Sequence, residues 1–273
     1  MLDPEQAILN LEPGKDGNTL ARSLDSLTVK DFADVAVLPK LLPFLGQNLM
    51  DSNVIDYGID PGMDICDQYY VSMEPFIRAK AALLIGSVCE NSEQEFDYTP
   101  YVAPLVSMIT GDEDIEQAFA LYALSQIGLK QPTPIVAVFP SIARIITGLL
   151  KKAIAPPVAF CLFHNLVFRG HVIESFLDFC MIKGILDNPD HVQRLISSAF
   201  PVALLQIALS TVLYIEKHPE YQWKVLWLFL RFITEHPTGS TFFDVDAFPR
   251  QGYPVCNCFK VAILNKEKAV AMR

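Results

Sequence analysis

The stretch Pro104–Gly128, PLVSMITGDEDIEQAFALYALSQIG, decides the fold. Together with Val102, two residues before it, Leu105, Val106 and Ile109 recur at the spacing of one face of an amphipathic helix. TGDED then breaks the pattern. Gly111 marks the end of that helix, and the acidic residues favour the start of the next, where the helix dipole is positive. The second segment differs from the first. Ile115, Ala118, Phe119 and Tyr122 form one apolar stripe, and Ala120, Ala123, Leu124 and Ile127 form another. A helix that is apolar on two faces must be covered on both. One helical pair cannot do that, so the segment predicts stacked neighbours and a repeating unit.

Working outward, the chain repeats. VLPKLLPFLG (Val37–Gly46), YVAPLVSMITG (Tyr101–Gly111) and VFPSIARIITG (Val138–Gly148) share a proline, spaced aliphatics and a closing glycine. A second helix rich in alanine or aliphatics follows each: IRAKAALLIGSVCENS, IEQAFALYALSQIG and PPVAFCLFHNLVFRG. Aligning the ends of these second helices puts Ser87, Gln126 and Asn165 in register, 39 residues apart each time. Helical solenoids repeat at about 40 residues.

These units resemble armadillo repeats. APLVSMITGDEDIEQAFALYALSQIG has a Pro-led helix, a Gly-acidic turn and a helix ending in Ala-Leu-polar-amide-aliphatic, and LFHNLVFRG carries an asparagine at the same place. The resemblance covers Tyr101–Gly170 best and extends to Val37–Asn91. It implies an all-α fold, a right-handed armadillo/HEAT-like superhelix of about four to five degenerate repeats. It further implies that the last helix of each unit lines a concave groove, where an amide pairs with the backbone of an extended peptide and an aromatic one turn earlier packs its side chains. The groove residues so implied are Tyr122 with Gln126, Asn165, Ser87 and, on a late helix in WKVLWLFLRFITEHP, Trp227 with Arg231. Local alternatives stand beside each. Tyr122 and Trp227 also suit a core, Asn165 also suits a bond to a neighbouring repeat, and Arg231 also suits a solvated rim.

The expected domain plan is an N-terminal arm over residues 1–28, loosely docked or flexible, and a single helical-repeat domain over 29–273. An acidic insertion at about 50–73, with Asp51, Asp56, Asp60, Asp64 and Asp67, interrupts the first unit. It lacks the spacing of a calcium loop. The period fails after Gly170, and the part beyond about 238 is less regular.

Composition bounds the function. The chain has 273 residues, 51% hydrophobic and 19% charged, with a formal net charge of −10. That is ample for a long core and too apolar for disorder. Twenty-one basic residues against 31 acidic ones give no basic face for nucleic acid. The N-terminus lacks the pattern of a signal peptide. The apolar stretches Ile135–Leu150 and Phe200–Ile215 carry proline, arginine or polar residues and are read as buried helices, with no membrane insertion. The cysteines suit a reducing compartment, the cytoplasm with the nucleus as a second location. Cys256 and Cys258 form a C-x-C pair with no nearby ligands to complete a zinc site. No nucleophile elbow, Walker loop or dinucleotide fingerprint is present. His218 and His236 each precede a proline and are read as helix-end residues.

The expectation is therefore a non-catalytic scaffold or adaptor without metal or cofactor. It binds a segment of a protein partner, with a basic segment among the candidates, and a terminal helix also allows homo-oligomers. The alternatives are a regulatory or assembly subunit of a larger enzyme or chaperone complex and, lower, a nuclear-import-type adaptor.

Overall fold

The computed structural model describes residues 2–28, 32–46, 54–55, 71–154 and 162–197. Its helices are α1 (Pro4–Asn10), α2 (Gly17–Leu27), α3 (Leu38–Leu41, flanked by 3-10 turns Val35–Val37 and Leu42–Leu45), α4 (Met73–Asn91), α5 (Thr99–Ile109), α6 (Asp114–Lys130), α7 (Pro132–Ile154), α8 (Leu162–Met181) and α9 (Pro189–Ser197). Strands β1 (Val54–Ile55) and β2 (Val71–Ser72) make a two-residue antiparallel ladder at the borders of the acidic insertion. The fold is all-α: helix makes up 77% of the described part, and so short a ladder carries no core of its own.

The expected break between α5 and α6 is present. α5 stops at Ile109, and the Gly111 N–H closes back onto the Met108 carbonyl at 3.1 Å. α6 opens at Asp114, with Asp114 and Glu116 in its first turn. Both apolar stripes of α6 are covered, and every residue from Glu116 to Gly128 is buried. The neighbours that cover it form two series. α2 packs on α4, α4 on α6, and α6 on α8; in the second series the 3-10 turn Leu42–Leu45 packs on α5, α5 on α7, and α7 on α9. Contacts of α3 with α4, α5 with α6 and α7 with α8 join the two.

Close approach within the first series depends on small residues. A Cβ at Gly86 of α4 would lie 2.5 Å from the Tyr122 ring and 3.2 Å from the Ala123 backbone on α6. Gly86 and Ala123 are thus what lets two helical backbones meet closely.

Three expectations are corrected. The segment before Val29 is no loose arm. Asp16 caps α2 by accepting from the Thr19 N–H at 3.0 Å and its hydroxyl at 2.6 Å, and Leu20, Leu24 and Leu27 are sealed in the core against α4. Asp25 also meets Lys80 at 2.6 Å. The capping sequence and the i, i+4, i+7 leucines were the available signal. Secondly, Gly148 does not end its helix, because α7 runs on to Ile154. Thirdly, Gly170 lies inside α8, which continues to Met181. Helix interiors tolerate glycine at about 1 kcal/mol when packing supplies the rest. Gly184, at φ +92°, makes the turn into α9 instead, and its carbonyl lies 3.2 Å from Nδ1 of the buried His191, whose ring rests on Phe139.

The Asp16 cap carries a pH dependence. Its bonds to Thr19 hold the carboxyl below its ordinary value. A depressed carboxylate contributes stability above the unfolded-state pKa and loses it as pH falls through the folded one. Between pH 6 and pH 3, wild-type protein should therefore lose more unfolding free energy than Asp16→Ala, as read by urea melts at each pH. Equal losses would show that the cap carries no acid sensitivity.

Along α7, the stretch Pro132–Leu150 is long and apolar enough to cross a bilayer by length and composition, with mean hydropathy 1.7. In the fold its Ile135, Phe139, Ile142 and Ile146 face the core, and Thr133, Ser141 and Arg144 face solvent. That is the burial of a helix packed on protein along one side.

Candidate functional site

The register that aligned Ser87, Gln126 and Asn165 is the place to build from. In α4 the exposed or half-buried residues Lys80, Leu83, Ser87, Glu90 and Asn91 follow a helical spacing, so Ser87 sits on the stripe that α4 turns away from the core. Asn91 Nδ2 donates to the Ser87 carbonyl at 2.9 Å. Leu83 lies one turn before Ser87, where the resemblance implied an aromatic.

Tyr122 and Gln126 are placed differently. Tyr122 is 8% exposed and Gln126 6%. The Tyr122 hydroxyl donates to Glu90 Oε2 at 2.5 Å, joining α6 to α4. Gln126 Nε2 donates to Asp178 Oδ2 at 3.1 Å, joining α6 to α8. The two residues expected to meet a partner are ties between neighbouring helices. The physical reason is the double covering that the alanine-rich sequence of α6 demands: helices crowding in from both sides bring carboxylates within reach of the phenol and the amide, and buried polar groups take the partners nearest them.

Asn165 falls in the first turn of α8. Its side chain, together with Trp227, Arg231, the five aspartates of the insertion, the C-x-C pair, His218 and His236, lies outside the described residues.

The electrostatics converge on Tyr122. Burial first, then the hydrogen bond to Glu90, then the charges of Glu90, Glu174 and Asp178 hold its phenol well above the ordinary range. Glu90 comes from α4, on one side of α6, and Glu174 and Asp178 come from α8, on the other. Glu90 is exposed and Glu174 half-buried. Asp178 is 5% exposed and belongs to the interior. Among the described residues no group of three His, Cys, Asp or Glu is arranged to hold a metal.

A second polar site joins the same helices nearer the start of α6. Arg78 Nη1 lies 3.3 Å from Glu116 Oε1, with the two side chains 11% and 4% exposed. Beyond the other end of α4, Gln131 secures the loop before α5: its Nε2 donates to the Phe96 carbonyl at 2.6 Å and its Oε1 accepts from the Tyr98 N–H at 3.2 Å. Lys130 donates to the Ser92 carbonyl beside it.

The described cysteines are inert by position. Cys89 is fully buried, and burial, only partly opposed by Lys130 and Tyr98, pushes its thiol up to about 11. Burial raises Cys180 as well. Thiolates are the reactive species. Native protein at pH 8 should therefore leave both unlabelled by iodoacetamide over a time in which urea-unfolded protein is fully modified, measured peptide by peptide by mass spectrometry. Rapid native labelling of Cys89 would mean that the α4–α5 corner opens readily.

Comparison with known proteins bears on the fold. No family model matches the chain, and no curated protein does. Among solved structures, the crystal structure of an engineered protein from the Northeast Structural Genomics Consortium is similar over 98% of this chain and 100% of its own, with a TM-score of 0.57 and 11% identity. At that identity the likeness is one of fold alone.

Proposed function

We propose that this chain is a non-catalytic protein-interaction scaffold, built as an armadillo-like right-handed superhelix and binding a segment of another polypeptide. The observation that supports it is the side-by-side packing of α4, α6 and α8, with α5 and α7 forming a second series behind them. Repetition of such pairs generates an extended surface whose area grows with every unit, and proteins built this way use that surface to bind other chains. The chain's formal net charge of −10 favours a partner segment with basic residues.

In this reading the contact surface takes in the solvent-facing stripe of α4, with Ser87 at its centre, and Glu174 on α8. Tyr122 and Gln126 hold the helices at the spacing the surface needs. A few central contacts would carry most of the affinity.

The test is affinity purification of the full chain followed by mass spectrometry, with Ser87→Arg/Glu174→Arg as the probe and Thr133→Arg/Ser141→Arg, on the opposite exposed face of α7, as the control. The expected result is loss of the specifically bound proteins, about tenfold or more, with the first pair only, at unchanged helicity. Retention of the same proteins by the first pair, or their equal loss with the control, overturns the assignment of the surface.

A further inference from the structure

We draw no further inference here: the strongest candidate, the depression between the α4–α5 loop and the end of α6 lined by Glu93, Glu95, Asp97 and Phe96, is an acidic cluster with no second observation that points to a ligand.

Discussion

Arg78→Met should cost this protein about 3–5 kcal/mol of unfolding free energy, the usual consequence of removing one partner of a buried ion pair. The arginine stem is replaced closely in volume, so packing alone is a minor part of the loss. What changes is electrostatic. Glu116, 4% exposed in the first turn of α6, keeps its charge and loses the guanidinium 3.3 Å away. The Arg78 Nε is itself buried with no acceptor among the described residues, so the pair is not an optimal one to begin with. That makes the double variant informative. Arg78→Met/Glu116→Leu removes both charges and should recover most of the loss, because a buried pair exchanged for apolar groups is commonly neutral or better. Urea unfolding followed by circular dichroism reads both. A single variant within about 1 kcal/mol of wild type, the range of an exposed pair, would show that Glu116 is satisfied by water or another group once the guanidinium is gone.

The second large effect is a difference in sign between two identical substitutions. Gly86→Ala places a methyl 2.5 Å from a ring carbon of Tyr122. The ring has little room to yield, since its hydroxyl is held by Glu90 and the residue is 8% exposed. Overpacking costs about 1–3 kcal/mol, and a contact this short belongs at the upper end. The gain of about 1 kcal/mol in helix propensity recovers only part, leaving a net loss of about 2 kcal/mol. Gly148→Ala in α7 meets nothing within 4 Å, and should stabilise by up to about 1 kcal/mol through propensity alone. Combining Gly86→Ala with Tyr122→Leu should cost less than the sum of the two, because the clash partner is gone. Two glycine variants that shift stability in the same direction would contradict the packing of α4 on α6.

The α5–α6 region was legible because its signals are local and agree with one another. The glycine turn, the acidic first turn and the two stripes of α6 each restrict the same few residues, and the observed bounds follow them. The N-terminal hairpin was legible in principle, from Asp16 with Thr19 and from the leucines at 20, 24 and 27, but a short polar segment with a glycine at its start resembles an arm until something apolar is known to wait for it. That partner, α4, begins at Met73, far along the chain from Leu27. The glycines at 148 and 170 read as stops because intrinsic propensity is all that a sequence displays, whereas the helices that contain them are sustained by the faces they bury.

The candidate site divides along the same line. The 39-residue register fell at Ser87 on the half-exposed stripe of α4. The same register on α6 found residues already committed to Glu90 and Asp178.

From its amino acids alone, then, this protein is determined to be helical, to punctuate its helices at Gly111 and Asp114, and to need α6 covered on both sides, since those properties depend on spacing within a single turn or two. Whether an amide faces a partner or a neighbouring carboxylate is decided by tertiary structure. A hydrogen bond between Gln126 and Asp178 spans 52 residues of chain, and its formation depends on how closely α6 and α8 approach, a distance set by the volumes packed between them.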